Sequence, residues 1–164
     1  MSVIGFCEWL EATPVALLVR ESLWGFQILA AIHIIGLALS VGTLVWFDLR
    51  LLGLAMTRVR ITVVYRRLRP WAGVGFLVMF TTGALLFSGS ATNAYGNLAF
   101  RIKLSAIALA GINALAYHLL TERQIAAWDA APRPPLGARV AGFVSIALWT
   151  SVVLAGRLIS YTLY

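Results

Sequence analysis

Four long apolar runs, almost free of charged residues, constrain this chain more than any other feature. They lie at about residues 23–47, 71–89, 102–120 and 140–161. Each is close to the ~20 residues that a helix needs to cross the hydrocarbon core of a bilayer. Only 12% of the residues are charged and 61% are hydrophobic, whereas soluble domains average about 25% charged residues. The sequence therefore predicts an all-α fold, a polytopic membrane four-helix bundle forming a single integral membrane domain over residues 1–164.

Two short segments precede the first apolar run. "SVIGFCEWL" and "PVALLVRESLW" are separated by Thr13 and Pro14, and proline suits the first turn of a helix. Trp9 and Trp24 suit the aromatic belt at a membrane surface. We therefore expect two short amphipathic N-terminal helices. The segment lacks a basic n-region, so we expect no signal peptide, and a lone Cys7 excludes an internal disulfide.

The basic residues are concentrated in two connections between apolar runs, which carry nine arginines. They are Arg50, Arg58, Arg60, Arg66, Arg67, Arg69, Arg123, Arg133 and Arg139. Arginine collects in short cytoplasmic loops, so we expect both connections to be cytoplasmic and both termini periplasmic. Because no basic stripe with interleaved aromatic residues occurs in a soluble segment, the formal charge of +7 does not indicate a nucleic acid partner.

The two histidines of the chain, His33 and His118, both lie in apolar runs. Ionisable groups inside a membrane are costly and indicate a functional site, and neutral imidazole is a common metal ligand. Small residues share a helix face with each histidine. They are Gly36 and Ser40 beside His33, and Gly111 and Ala114 beside His118. These faces have room for a planar group, although small residues also form the usual contacts between membrane helices.

The leading hypothesis is a membrane protein that binds b-type haem between its helices and transfers electrons. His33 and His118 would be the axial ligands, and Arg101 and Lys103 would pair with the propionates unless they only snorkel to the interface. A quinone or a redox partner protein would exchange electrons with the haem. The two histidines differ in depth by roughly 10 Å at the rise of an α-helix. Helix tilt closes that gap, or else the histidines serve separate sites or one is structural.

Two other hypotheses stay open. In the first, the protein handles copper or another metal through the histidines and Met56 or Met79, since thioethers are soft ligands. In the second, it is a cofactor-free scaffold in the lipid bilayer, as an oligomer or a subunit of a larger complex. No Ser-His-Asp set, HExxH motif or phosphate-cradling glycine loop occurs, so any activity is expected to be redox chemistry rather than hydrolysis or group transfer.

The segments "HIIGLALSVGTLVWFDLRLLG" and "AFRIKLSAIALAGINALAYH" resemble an uncharacterised family of small bacterial inner-membrane proteins with four helices. The matching positions are His33, Gly36, Gly42, Asp48, Arg50, Lys103, Asn113 and His118, with Ile32 and Ala106 in place of leucine. The resemblance covers about residues 9–118 and implies the bacterial inner (cytoplasmic) membrane.

More distantly, the first histidine and the second of these segments resemble parts of two helical-bundle families. One is the haem-containing membrane protoporphyrinogen oxidase, and the other is the copper-resistance D family of copper importers. The residues that carry the resemblance to the oxidase are Lys103, Leu104, Tyr117 and His118. These resemblances imply haem or copper as the cofactor or cargo.

Overall fold

A computed structural model describes residues 2–162, in which all regular structure is helical. The α-helices are α1 (Val3–Glu11), α2 (Pro14–Glu21), α3 (Gly25–Leu52), α4 (Ile61–Ser88), α5 (Ala91–Gly96), α6 (Leu98–Ala116) and α7 (Leu136–Thr162). A π-helical turn, Tyr117–Thr121, and a 3₁₀ helix, Glu122–Ala127, follow α6. Within this part of the chain, four helices are long and apolar enough to cross a membrane. The protein is an all-α, multi-pass membrane protein, as predicted.

The two short N-terminal helices form where the sequence predicts them. The Thr13 side chain accepts a hydrogen bond from the backbone N–H of Ala16 at 3.3 Å, and Pro14 occupies the first position of α2. Thr13 is therefore an N-cap residue, which satisfies one of the donors that a helix start leaves free. The indole rings of Trp9 and Trp24 are exposed on the protein surface.

Helices α3 and α4 cross with their backbones in contact. A Cβ atom added at Gly75 would lie 2.5 Å from the backbone nitrogen of Ser40. One added at Gly36 would lie 2.9 Å from the backbone nitrogen of Met79. Small residues that allow so close an approach are typical of helix pairs in membranes. The contact between α3 and α4 is the most extensive in the bundle.

Helix α7 packs on both α3 and α6, but α4 and α6 largely stay apart. At the N-terminal end of α6, the Phe87 and Phe100 rings stack with their centroids 5.2 Å apart. Deeper in the bundle, Phe76 of α4 meets Trp149 of α7 at 5.3 Å. Between the Phe87–Phe100 stack and the other end of the bundle, an open region therefore separates α4 from α6.

The Arg50 side chain of α3 forms hydrogen bonds with both arginine-rich connections between the long helices. Its guanidinium is fully buried and donates from Nε to the Val59 carbonyl at 2.9 Å and from Nη2 to the Ala131 carbonyl at 3.0 Å. These carbonyls belong to the connections 53–60 and 128–135. We call the end of the bundle that they form the arginine-rich end.

Helix α4 begins at Ile61, well before the apolar run predicted from residue 71. The arginine-rich stretch before that run is therefore partly helical. Asp129, from the other connection, caps this start. Its Oδ1 accepts from the Thr62 N–H at 2.8 Å and its Oδ2 from the Thr62 hydroxyl at 2.9 Å. Because the cap comes from a distant part of the chain, local sequence patterns do not indicate it.

Replacing Asp129 with alanine should destabilise the protein by about 1–2 kcal/mol, because the start of α4 loses its capping side chain. Asp129→Asn, which keeps a side-chain oxygen for the Thr62 N–H, should lose less. Thermal unfolding in a mild detergent, followed by circular dichroism, measures both variants. An alanine variant as stable as the wild-type protein would contradict the capping role.

Candidate functional site

The open region between α4 and α6 contains a cavity of about 640 Å³, lined by residues of α3, α4, α6 and α7. This volume is in the range of pockets that bind small molecules and cofactors. Most of the wall is apolar, and its aromatic side chains are Phe47, Tyr65, Phe76, Phe80, Tyr117 and Trp149. Flat aromatic walls suit a flat, largely apolar ligand.

Two glycines line the cavity, and their lack of a side chain leaves the space between α4 and α6 open. Gly73 of α4 and Gly111 of α6 both line it, and a Cβ added at either would meet no atom within 4 Å. Close packing within this chain therefore does not require glycine at these positions. Ala114, a turn after Gly111, lines the same wall. The sequence predicts Gly111 and Ala114 as cofactor-binding residues, and the structure places both at the cavity.

His118 lies at the mouth of the cavity, where α6 changes into the π-helical turn. Its Nδ1 is hydrogen-bonded to the carboxylate of Glu122, four residues later. Histidines that bind a metal commonly donate their second N–H to a carboxylate in this way. The bond leaves Nε2 for a ligand, and the His118 side chain is 67% exposed. π-helical turns are rare and are frequent at functional sites.

Two buried polar atoms on the cavity wall lack hydrogen-bond partners among residues 2–162. They are Oδ2 of Asp48 and the hydroxyl of Tyr117. The Asp48 residue is only 4% exposed, although the Ser145 hydroxyl interacts with its carboxyl group. Asn113, on the same wall, donates to the Ala141 carbonyl at 3.0 Å. Since buried polar groups are nearly always paired, Oδ2 of Asp48 and the Tyr117 hydroxyl are exceptions within the described residues.

His33 occupies a different environment at the opposite end of the bundle. Its Nδ1 lies 3.0 Å from the Thr82 hydroxyl oxygen, and that hydroxyl donates to the Val78 carbonyl at 2.6 Å. Because the hydroxyl has a single proton, the imidazole Nδ1–H is the donor to Thr82. A Cβ added at Gly83 would lie 3.1 Å from the His33 ring. His33 therefore packs tightly against α4.

The structure does not bring His33 and His118 together. His33 lies 15 residues before Asp48 along α3, which is about 22 Å at the rise of an α-helix. The Asp48 carbonyl contacts α7 near Gly142, and Asn113 bonds to Ala141 at that same depth. His118 follows Asn113 and lies further toward the arginine-rich end. One iron atom cannot bind both histidines in this arrangement, so the predicted pair of axial ligands needs correction.

The other predicted cofactor residues also lie away from the cavity. Gly36 and Ser40 are occupied by the contact of α3 with α4, and the Ser40 hydroxyl donates to the Gly36 carbonyl at 2.8 Å. The Arg101 guanidinium lies over the Tyr95 ring at 5.4 Å, near the start of α6. Lys103 lies beside Gly156 of α7. The prediction that these four residues surround a haem between the histidines is corrected accordingly.

The candidate copper ligands are also dispersed. The Met79 sulfur lies 3.9 Å from the Ser40 hydroxyl oxygen inside the α3–α4 contact, and Met56 lies in the connection 53–60. In the described part of the chain, no three side chains of His, Cys, Asp or Glu are grouped so that they could hold a metal ion.

Several residues of the cavity have no ligand-binding role in the hypotheses drawn from the sequence. Glu122 stands at the i+4 position from His118, and this spacing could have identified it as a partner on the same helix face. Asp48, Tyr117 and Arg69 could not be found this way, because they come from three helical segments that meet only in the folded bundle.

The comparison with protein families identifies the chain. The model of a family of unknown function, DUF6644, matches residues 6–162. The chain belongs to this family. Membership agrees with the predicted resemblance to an uncharacterised family, while the resemblances to protoporphyrinogen oxidase and to copper-resistance D proteins stay predictions. Neither the curated proteins nor the solved structures gave a significant match.

Proposed function

We propose that this DUF6644 protein binds b-type haem in the cavity through His118 and carries electrons within the membrane. One observation supports the proposal above all: a cavity with aromatic walls has, at its mouth, a histidine backed by a carboxylate. A proximal histidine is a common ligand of haem iron, and burial and hydrogen bonding tune the haem potential. Haem would supply the one-electron chemistry for which the chain has no group of its own.

The surroundings of His118 suit a porphyrin. Gly73 and Gly111 leave space between α4 and α6 where larger side chains would close the cavity. Arg69 lines the cavity, and its guanidinium lies 6.0 Å from the centre of the Tyr65 ring. Guanidinium groups bind carboxylates in a bidentate manner, so Arg69 is the cation that we assign to a propionate. Arg69 thus takes the role of pairing with a propionate that the sequence hypothesis gave to Arg101 and Lys103.

The position of His33 determines the expected coordination. Because His33 is far from the cavity, His118 is the single histidine that can bind the iron. We therefore expect a haem with an open or water-filled sixth position rather than a bis-histidine haem. Such a haem binds small external ligands when reduced.

A second candidate occupant is a quinol, which the unpaired Oδ2 atom of Asp48 and the unpaired Tyr117 hydroxyl favour. A buried carboxylate oxygen can accept a hydrogen bond from a quinol hydroxyl, and the phenol can donate to a quinone carbonyl. The gap between α4 and α6 would give a membrane-dissolved quinol a lateral route into the cavity. Quinone would then be the ligand of this cavity rather than a partner of a bound haem.

We place the protein in a bacterial inner membrane with the arginine-rich end in the cytoplasm. The family resemblance supports the first part, and the nine arginines in and next to the two connections support the second. In this orientation His118 and the cavity mouth lie near the cytoplasmic surface, where a soluble redox partner could approach.

The decisive experiment is to purify the protein in mild detergent from cells supplied with haem and to analyse what it carries. A Soret band that shifts on reduction with dithionite and again on addition of carbon monoxide is the expected result for haem held by one histidine. Solvent extraction and mass spectrometry of the same sample measure bound quinone. A colourless protein with stoichiometric quinone would replace the haem proposal by the quinol proposal, and a sample with neither would overturn both.

A further inference from the structure

The two connections at the arginine-rich end touch each other and form one surface, which we call the connection surface. Gly53 follows α3 in the left-handed conformation, with a φ of 74°. A Cβ added there would lie 3.1 Å from the Pro132 carbonyl oxygen and 3.7 Å from the Cα atom of Arg133. The Ile61 N–H donates to the Asp129 carbonyl at 3.1 Å. Residues that are distant in the sequence are therefore neighbours on this surface.

The connection surface carries three exposed arginines, Arg58, Arg60 and Arg133. In the part of the chain that the structure describes, none of the three forms an ion pair with a carboxylate. The one acidic residue of the two connections, Asp129, is occupied as the cap of α4. The surface therefore has an excess of positive charge and fits an anionic partner.

Exposed apolar side chains accompany these arginines. Leu54, Met56 and Val59 belong to the first connection, and Leu54 is 73% exposed. The backbone around them is held in place, because the Leu54 N–H donates to the Leu49 carbonyl at 3.0 Å and the Val59 carbonyl accepts from Arg50. Arginines beside apolar side chains are typical of segments that bind the surface of an anionic bilayer. An acidic soluble protein would match the charge but would leave the apolar side chains unexplained.

The length of α3 places the connection surface at the level of the lipid headgroups. The helix has 28 residues, which is about 42 Å at the rise of an α-helix. A bilayer with its headgroups is about 40–45 Å thick. Trp24, directly before α3, is 72% exposed, and tryptophan is enriched at membrane surfaces. With this end of α3 at one surface, the connection after Leu52 lies among the headgroups of the other.

We propose that the connection surface binds anionic phospholipids of the membrane. Arg58, Arg60 and Arg133 would pair with headgroup phosphates, because a guanidinium binds phosphate oxygens in a bidentate manner. The exposed apolar side chains of the first connection would lie against the first carbons of the acyl chains. Each arginine near an anionic surface strengthens binding roughly fivefold. The surface is separate from the cavity, so this proposal is independent of haem or quinol.

The test mixes the purified full-length protein in detergent with equal amounts of phosphatidylglycerol and phosphatidylcholine, and native mass spectrometry measures the ratio of the two lipids retained. We expect the wild-type protein to retain an excess of phosphatidylglycerol. Arg58→Gln/Arg60→Gln should lower this ratio at least fivefold, and Arg58→Lys/Arg60→Lys, which keeps both charges, should preserve the preference.

The matched control is Arg20→Gln/Arg101→Gln, which removes two exposed arginines near the opposite end of the bundle. It should change the ratio less than twofold. Equal losses in the two glutamine variants would mean general charge attraction and would overturn the site. A wild-type protein without preference for phosphatidylglycerol would overturn it as well.

A spin label measures the depth of the first connection directly. Cys7 is the single cysteine, so Leu54→Cys in a Cys7→Ala background carries one nitroxide. In vesicles of phosphatidylglycerol and phosphatidylcholine, we expect this label to collide more often with oxygen, which concentrates among the acyl chains, than with a water-soluble nickel chelate. The opposite result would place the connection in water, where a soluble acidic protein could reach it, and would overturn the lipid site.

Discussion

His118→Ala is expected to abolish haem binding, whereas His33→Gln should retain it. The reason is geometric: His118 is at the mouth of the aromatic cavity, and His33 is bonded to Thr82 at the other end of the bundle. The haem affinity of Glu122→Gln should lie between those of these two variants, reduced about 10- to 100-fold, because the Glu122 carboxylate holds the orientation of the His118 ring. The haem-to-protein ratio and the reduced-minus-oxidised spectrum of each purified variant provide the measurement.

The two histidine variants act as controls for each other. Both remove an imidazole from a membrane-spanning helix, so a general loss of folding would affect both. Loss of haem from both variants with intact folding would favour the shared bis-histidine site of the sequence hypothesis and contradict the present arrangement. Retention of haem in both would remove His118 from its assigned role.

Gly75→Ala should destabilise the protein by about 1–3 kcal/mol, while Gly73→Ala should leave its stability unchanged or slightly higher. A methyl group at Gly75 would lie 2.5 Å from the backbone nitrogen of Ser40, so α3 and α4 must separate to admit it. Overpacking of this kind commonly costs 1–3 kcal/mol. At Gly73 a Cβ has no neighbour within 4 Å, and alanine favours the helix by up to ~1 kcal/mol.

Unfolding of both glycine variants by increasing SDS in mixed micelles measures the difference. The two positions are on the same helix and undergo the same substitution, so a change in helix propensity alone would affect them equally. Equal stability of the two variants would contradict the close contact of α3 and α4 at Gly75.

The elements of the fold were largely predictable from the sequence because they depend on local properties. Apolar runs of bilayer length predict the four long helices, and Thr13-Pro14 predicts the break between α1 and α2. The start of α4 was not predictable, because the side chain that caps it, Asp129, belongs to a distant connection. The short helix α5 and the π-helical turn also have no clear signal in the periodicity.

The candidate site was less predictable, because membrane helices place small residues both at contacts and beside ligands. Gly36 and Gly111 look alike in the sequence, yet one is pressed against α4 and the other faces open space. The difference arises from which helices pair, and the apolar runs alone do not contain that information. The depth of a histidine in its own run was informative, since it already indicated that His33 and His118 lie at different levels.

The bonds of Arg50 and Asp129 have a consequence for how the chain is completed during synthesis. Polypeptides emerge from the ribosome N-terminus first, so α3 and α4 are made before the connection that carries Asp129 and Ala131. Until that connection is translated, the Arg50 guanidinium lacks the Ala131 carbonyl and the start of α4 lacks its cap. The contacts that complete the α3–α4 pair therefore form only after the connection before α7 has been synthesised.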